Sequence, residues 1–340
     1  MLPRGIRQAF ASFALLAATA TGASEPDPRC EAVRGVEPPT VDLPDAASRA
    51  RLAGCDAAAL YYGVGMPADL ADARRCAFIE SADGVDDLFA GAGILMMLYA
   101  NAQGVERNLP LARRYACLAG GAPAELAGRL EYLDSIERDP LTTEPLDACD
   151  HVTSGDATGM CAQHAADVAG VARAARLAQL RANWTPAVDA AYAKLRAAAD
   201  RFIDARVDGE VDMSGTARGA LAVGAREDFE ESLLASLEAT ARGEHPAFDA
   251  AEERAADAAL NEAYRRARAA AAPVGEGDEA FDALGTVTAD AIRDAQRAWI
   301  PYRDAWAAFG AAIAPGVPAH AWLAQATRAR VAMLEELAGD

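Results

Sequence analysis

The chain has 340 residues, enough for two modest domains, and its 52% of hydrophobic residues can supply a packed core for each. Its formal net charge is −19, which argues against a nucleic-acid partner because phosphate recognition needs a basic surface. The same charge is compatible with a cationic protein partner, although the alternative is that it only keeps the protein soluble.

The first 23 residues have the pattern of an export signal. Arg4 and Arg7 give a positively charged start, residues 9–20 are apolar, and small residues precede Ala23, after which we expect cleavage. Residues 24–47 are rich in proline and acidic residues, and we expect them to form an extended, loosely ordered lead. No later stretch of about 18 apolar residues is free of charge, so we predict an exported protein, periplasmic or extracellular, without a membrane span.

An internal repeat occupies residues 48–139. A shift of 39 residues aligns identical residues in its two copies. The aligned pairs are Gly65 and Gly104, Leu70 and Leu109, Arg74 and Arg113, and Arg75 and Arg114. A period near forty is typical of helix–turn–helix units stacked as a short solenoid, and the alternative is two helical hairpins that are similar by chance.

The second copy of the repeat carries a recognisable spacing of small and aromatic residues. The residues that define it are Tyr99, Gly104, Leu109, Ala112 and Tyr115. This copy resembles the Sel-one-like branch of the tetratricopeptide-type repeats. It departs from that pattern at Ala102, where a glycine is usual.

The remainder of the chain predicts a helical bundle. Pro140 and Pro145 lie among charged residues, so we place a linker at residues 140–148 and the second domain at residues 149–340. The expected helices cover residues 161–182, 186–206, 226–242, 249–271, 288–309 and 319–337. Since alanine is abundant and β-branched runs are few, the predicted fold class is all-α, a short helix–turn–helix repeat solenoid followed by a helical-bundle domain.

The even number of cysteines in an exported chain favours disulfides, and six cysteines allow about fifteen pairings. The six are Cys30, Cys55, Cys76, Cys117, Cys149 and Cys161. We predict a local Cys149–Cys161 bond and, between the helices of the first repeat, a Cys55–Cys76 bond. Alternatively, Cys149 and Cys161 could join two histidines in a zinc site. With the disulfide, His151 and His164 would be ordinary surface residues.

Two predicted helices near the C-terminus each carry a face that mixes large apolar groups with polar side chains. The first face comprises Asp257, Leu260, Asn261 and Tyr264, and the second comprises Gln296, Trp299, Arg303 and Trp306. Unpaired buried polar groups destabilise a fold, so such faces imply a polar network shared between the two helices. We expect Asn261 and Arg303 to be largely buried, with Arg303 stacked on a tryptophan and paired with Asp257 or Asp304.

These two segments resemble the N-terminal helical domain of the lysozyme inhibitor LprI family. The pattern is carried by Asp257, Leu260, Asn261, Tyr264, Ala295, Gln296, Trp299, Tyr302, Arg303 and Asp304. The family usually has a cysteine shortly after the Arg-Asp pair, whereas this chain has Trp306 there and no cysteine after Cys161. The resemblance implies a non-enzymatic protein that inhibits lysozyme or a related wall-cleaving enzyme. We interpret the motif residues as structural rather than as a binding site.

The sequence has no Gly-x-Ser-x-Gly elbow and no phosphate loop. We therefore predict that the protein is not an enzyme and binds no cofactor. We expect a cationic partner such as lysozyme, or other envelope proteins, to contact exposed acidic residues. The candidates are Glu227, Asp228, Glu230 and Glu231. One alternative is an envelope scaffold that uses the helical repeats. Another is a metal-dependent hydrolase built on the cysteine and histidine cluster.

Overall fold

The computed structural model describes residues 27–139, 144–273 and 284–339, so the predicted export signal and the first part of the predicted linker lie outside the described residues. Within these ranges the regular structure is entirely helical, and the predicted all-α fold is confirmed. The helices are α1 (Pro28–Val33), α2 (Ala46–Arg51), α3 (Ala57–Tyr62), α4 (Leu70–Ala82), α5 (Gly91–Asn101), α6 (Leu109–Ala119), α7 (Pro123–Arg138), α8 (Gly155–Arg181), α9 (Pro186–Glu210), α10 (Arg218–Ala241), α11 (Ala250–Ala270), α12 (Ala289–Ile313) and α13 (Ala319–Ala338). None of these helices is long and apolar enough to cross a membrane.

The first half of the chain consists of two stacked helical hairpins, α3–α4 and α5–α6, followed by α7. Their turns are equivalent in detail. The amide of Asp69 donates to the carbonyl of Leu60 at 2.9 Å, and 39 residues later the amide of Asn108 donates to that of Tyr99 at 3.0 Å. The side chains of Asp69 and Asn108 also cap α4 and α6 in the same way. The internal repeat predicted from the sequence is therefore a structural repeat.

The two hairpins differ in the residue that ends their first helix. Gly63 ends α3 with φ of 75°, and Ala102 ends α5 with φ of 56°, so both adopt the left-handed conformation. An L-residue there is strained by roughly 1–2 kcal/mol relative to glycine. The second hairpin therefore has an alanine at a position where the left-handed backbone favours glycine.

We therefore expect Ala102→Gly to stabilise the protein by about 0.5–1 kcal/mol, since relief of strain exceeds the added entropy of the unfolded chain. Denaturant unfolding measures the change. The reciprocal variant, Gly63→Ala, should destabilise the fold, because its new methyl group would also meet backbone atoms at 3.2 and 3.3 Å. A loss of stability in Ala102→Gly would contradict the interpretation.

The acidic lead is docked on the repeat hairpins instead of being extended and loosely ordered. Its residues form α1 and a short 3-10 turn at Thr40–Asp42. A disulfide from Cys30 to Cys117 fixes α1 to α6. The Asp42 carboxylate accepts a hydrogen bond from the Tyr99 hydroxyl at 2.9 Å and lies 3.4 Å from the Arg74 guanidinium. These polar contacts and the disulfide explain why the described part of the lead is ordered and not loosely ordered as expected.

Two further disulfides join Cys55 to Cys76 and Cys149 to Cys161, as predicted. The first connects the start of α3 to α4, and the second connects the segment before α8 to α8 itself. Because the two sulfur atoms of the hypothetical zinc site are bonded to each other, they cannot serve as thiolate ligands. Two of the four zinc ligands that the metal-dependent hydrolase hypothesis requires, the two cysteines, are therefore excluded.

The second half of the chain forms a bundle in which α8 packs along α10, α9 along α12, and α11 along α13. Aromatic side chains fill its centre, with Phe202, Phe309 and Trp322 fully buried. The long helix α8 starts in the core of the repeat hairpins, where Ala157 is buried, and ends against the bundle core at Leu180. One helix thus contributes to both cores, and the division between them falls within α8 rather than in the predicted linker.

Candidate functional site

The apolar members of the two motif faces are core residues. Trp299 and Trp306 are 1% and 4% exposed, and Leu260 is also buried. The Tyr302 ring packs against those of Phe202 and Phe229, with both centroids 5.5 Å away, and the two phenylalanine rings also contact each other at 5.7 Å. The interpretation of these positions as structural anchors agrees with this packing.

The prediction for Asn261 is wrong. Asn261 is exposed, and its side-chain amide donates within its own helix to the carbonyl of Asp257 at 2.9 Å. The reason is the helix arrangement, since α11 packs mainly along α13 and α12 packs mainly along α9. The two motif faces therefore do not enclose a common polar network, although the spacing of each face is helical as predicted.

Arg303 has the partners that the sequence indicated but not the expected burial. Its guanidinium lies 5.3 Å from the Trp299 ring centroid, donates to Asp304 at 2.9 Å, and is 3.9 Å from Asp257. The Arg303 side chain is 24% exposed and that of Asp304 is 58% exposed. This is a solvated ion pair on the bundle surface, and such pairs contribute about 0–1 kcal/mol.

The buried polar network of the bundle instead centres on Arg330, which is 0% exposed. Its guanidinium forms a two-pronged ion pair with Glu210, one bond being 2.8 Å long, and its Nε donates to the Gln296 side chain at 2.9 Å. Only Gln296 belongs to the predicted motif. Glu210 precedes Arg330 by 120 residues, so no local spacing could have paired them.

The three C-terminal helices that carry this geometry also carry the similarity to known proteins. The model of the family described as "Lysozyme inhibitor LprI" matches residues 244–334. The matched segment includes α11, α12 and most of α13, and it leaves the repeat hairpins and α8–α10 outside. No curated protein and no solved structure matches the chain. The Arg330–Glu210 ion pair connects this matched segment to α9, which lies outside it.

The acidic residues of α10 that the sequence singled out are largely engaged in ion pairs within the bundle. Glu227 binds Arg173 through bonds of 2.6 and 2.8 Å, and Glu230 binds Arg196 through bonds of 2.7 and 2.8 Å. Glu231 pairs with an arginine of α8 in the same way. The expectation that these acids are free to meet a partner is wrong, because arginines on α8 and α9 face them. Asp228 alone among the four has no arginine within ion-pair distance.

Unpaired acidic residues are concentrated elsewhere, where the repeat hairpins meet α8. Residues 76–106 and residues 140–172 each contain five acidic residues, and neither stretch has an arginine or lysine. The two stretches meet at a cleft of about 530 Å³. We call it the acidic cleft and define it by Asp56, Glu80, Asp87, Phe89, His164 and Asp167. None of its four carboxylates has an arginine or lysine nitrogen within 4.0 Å.

Aromatic rings form the back of the acidic cleft. The His164 ring lies 4.1 Å from that of Tyr62 and 4.5 Å from that of Phe89. The Tyr62 hydroxyl donates to Asp147 at 2.8 Å, which fixes the stack against the segment before α8. Burial lowers the pKa of His164, so its neutral form is favoured. His164 is a half-buried member of an aromatic stack, which corrects its prediction as an ordinary surface residue.

Glu80 has a structural role within the cleft. One carboxylate oxygen accepts the amide of Ala57 at 3.0 Å, and the other accepts the amide of Gly91 at 2.9 Å. Burial raises the pKa of Glu80 even though these two hydrogen bonds oppose the shift. Asp87 and Asp167 are more exposed, and their carboxylates contact only neutral donors, the amide of Phe89 and the side chain of Gln163. Together with Asp56, which is also exposed and accepts the amide of Ala59 at 2.8 Å, they are the accessible charges of the acidic cleft.

Proposed function

We propose that the protein is an exported, non-enzymatic binding protein that inhibits lysozyme, or a related wall-cleaving glycoside hydrolase, by protein–protein contact. The match of residues 244–334 to the lysozyme inhibitor family is the observation that carries the proposal. The net charge of −19 supports it, since a negatively charged surface attracts a basic enzyme from a distance. An assay of lysozyme activity in the presence of the purified protein tests the proposal directly.

The matched segment supplies little of this charge. Residues 244–334 contain thirteen acidic residues and nine arginines, a net charge of −4, so most of the chain's −19 lies outside this segment. We propose that electrostatic attraction comes instead from the acidic cleft, where the carboxylates are not already neutralised within the fold. A cationic side chain of the partner would gain new ion pairs there without breaking existing ones.

The double variant Asp87→Asn/Asp167→Asn is expected to slow association with a basic lysozyme several-fold at low ionic strength, and the difference should shrink at high salt. Stopped-flow or surface-based kinetics measure the association rate. Asparagine keeps the oxygen that accepts the existing hydrogen bonds, so the fold should be unchanged.

The matched control is Glu131→Gln/Asp208→Asn, which makes the same change in net charge at two exposed acidic residues outside the cleft and the matched segment that have no ion-pair partner among the described residues. Equal slowing by both double variants would show that only net charge matters and would remove the acidic cleft from the proposal. Absence of any binding or inhibition by the unaltered protein would refute the proposed function itself.

A second function is favoured by the two equivalent hairpin turns, which support membership of the Sel-one-like repeats. In that case the protein is an envelope scaffold whose repeat hairpins assemble other proteins. A pull-down from envelope extract with the exported chain, repeated at high salt, separates the two functions. Recovery of a wall-cleaving enzyme that is lost at high salt favours inhibition, whereas recovery of several salt-resistant partners favours the scaffold.

A further inference from the structure

The strongest unassigned feature of the bundle is a small cavity between α10, α12 and α13. Its volume is about 90 Å³. Each of the three helices supplies one wall, with Leu233 from α10, Trp299 and Trp306 from α12, and Ala329 from α13. The cavity arises because α10 packs along α8 and touches α12 and α13 through few residues. It lies beneath the aromatic residues of the segment that resembles the inhibitor family.

The walls of this cavity are buried, whereas its mouth is not. Leu233, Trp299 and Trp306 are each less than 5% exposed. Ala329 and Ser232 are exposed and lie at the edge where α10 and α13 separate. A molecule from solvent can therefore enter between these two helices and meet mainly aromatic and aliphatic surface.

One polar atom in the wall lacks a partner. The side-chain oxygen of Gln325 is buried and accepts no hydrogen bond. An unsatisfied buried acceptor destabilises a folded protein, so such an atom is rare in a protein core. A ligand that donates one hydrogen bond to Gln325 would remove this deficit.

The one charged side chain in the wall, that of Arg330, does not favour binding of an ion in the cavity. Arg330 borders the cavity, but its guanidinium is already bound by Glu210 and by the oxygen of Gln296. An anion would therefore find no unpaired cation. A cation would find no carboxylate among the lining residues and would lie near a buried guanidinium.

We propose that this cavity is a binding site for a small, neutral, planar aromatic molecule with one hydrogen-bond donor, of the phenol class. The ring would lie against Trp299 and Trp306, and its hydroxyl would donate to the Gln325 oxygen. A cavity of about 150 Å³ lined by apolar residues can hold benzene, so a ring in this smaller cavity leaves one edge at the mouth. The site does not depend on lysozyme binding.

Ligand-observed fluorine NMR of 4-fluorophenol and fluorobenzene tests the proposal, because the two rings are alike and only the first has a donor. We expect both resonances to broaden with the unaltered protein, with 4-fluorophenol binding about three- to tenfold more tightly through its additional hydrogen bond. Gln325→Leu should abolish this preference without lowering the melting temperature, since it removes an unsatisfied acceptor.

A second variant addresses the location of the site. Ala329→Leu should close the mouth and abolish binding of both probes, whereas Ala332→Leu, at another exposed alanine of α13, should leave binding unchanged. Three outcomes would overturn the proposal. They are no binding by the unaltered protein, equal affinity for the two probes, or binding that persists in Ala329→Leu.

Discussion

Arg330→Met is expected to destabilise the protein by about 3–5 kcal/mol. The change leaves the Glu210 carboxylate, whose side chain is 3% exposed, without its guanidinium partner in the bundle interior. Arg206 lies 3.8 Å from Glu210 and offers only a distant replacement. This loss is a large share of the total stability of a typical domain, and urea unfolding should show a clearly lower midpoint.

Two further variants isolate the cause. Arg330→Met combined with Glu210→Leu should recover much of the lost stability, because it removes the unpaired buried charge. Arg303→Ala should lose less than about 1 kcal/mol, since its ion pair with Asp304 is solvated. On the assumption that Arg303 is buried, as expected from the sequence, the same change would cost roughly 3 kcal/mol. Equal losses in Arg303→Ala and Arg330→Met would restore that assumption.

The contrast between Arg303 and Arg330 shows what helical periodicity can and cannot predict. The spacing of Trp299 and Trp306 correctly predicted a buried aromatic face on one helix. Periodicity does not state which other helix that face meets. Because α11 packs along α13 instead of closing over α12, Asn261 became a surface residue and the buried network formed around a residue outside the motif.

Local signals predicted the repeat and two disulfides well, since each depends on residues close in the sequence. The Cys55–Cys76 and Cys149–Cys161 bonds span 21 and 12 residues, whereas the Cys30–Cys117 bond spans 87 and was left unassigned. The prediction that the acidic residues of α10 are free to meet a partner was wrong because ion pairing also depends on residues distant in the sequence. Composition gives their number, but only the fold shows that Glu227 is neutralised by Arg173 while Asp87 is not.

Glu125 provides a second buried charge, which no sequence pattern singles out, and it links α7 to the start of α8. Glu125 is 1% exposed, and its carboxylate accepts the amides of Ala122, Thr153 and Ser154 at 2.9, 2.9 and 2.6 Å. Burial alone would raise the pKa of Glu125, but these hydrogen bonds outweigh burial and lower it to about 2. The ionised form therefore stabilises the folded state.

Glu125→Gln is expected to destabilise the protein by roughly 2–3 kcal/mol near pH 7, because an amide cannot accept all three backbone hydrogen bonds as a carboxylate does. The stabilisation by Glu125 is fully present above its ordinary pKa of 4.5 and is lost as the pH falls towards the folded-state pKa of about 2. The difference between the two proteins should accordingly narrow over that interval. Urea unfolding at several pH values measures it, with Glu131→Gln, an exposed position on the same helix, as the control. A pH-independent difference, or an equal effect of Glu131→Gln, would show that the Glu125 carboxylate does not hold α7 and α8 together.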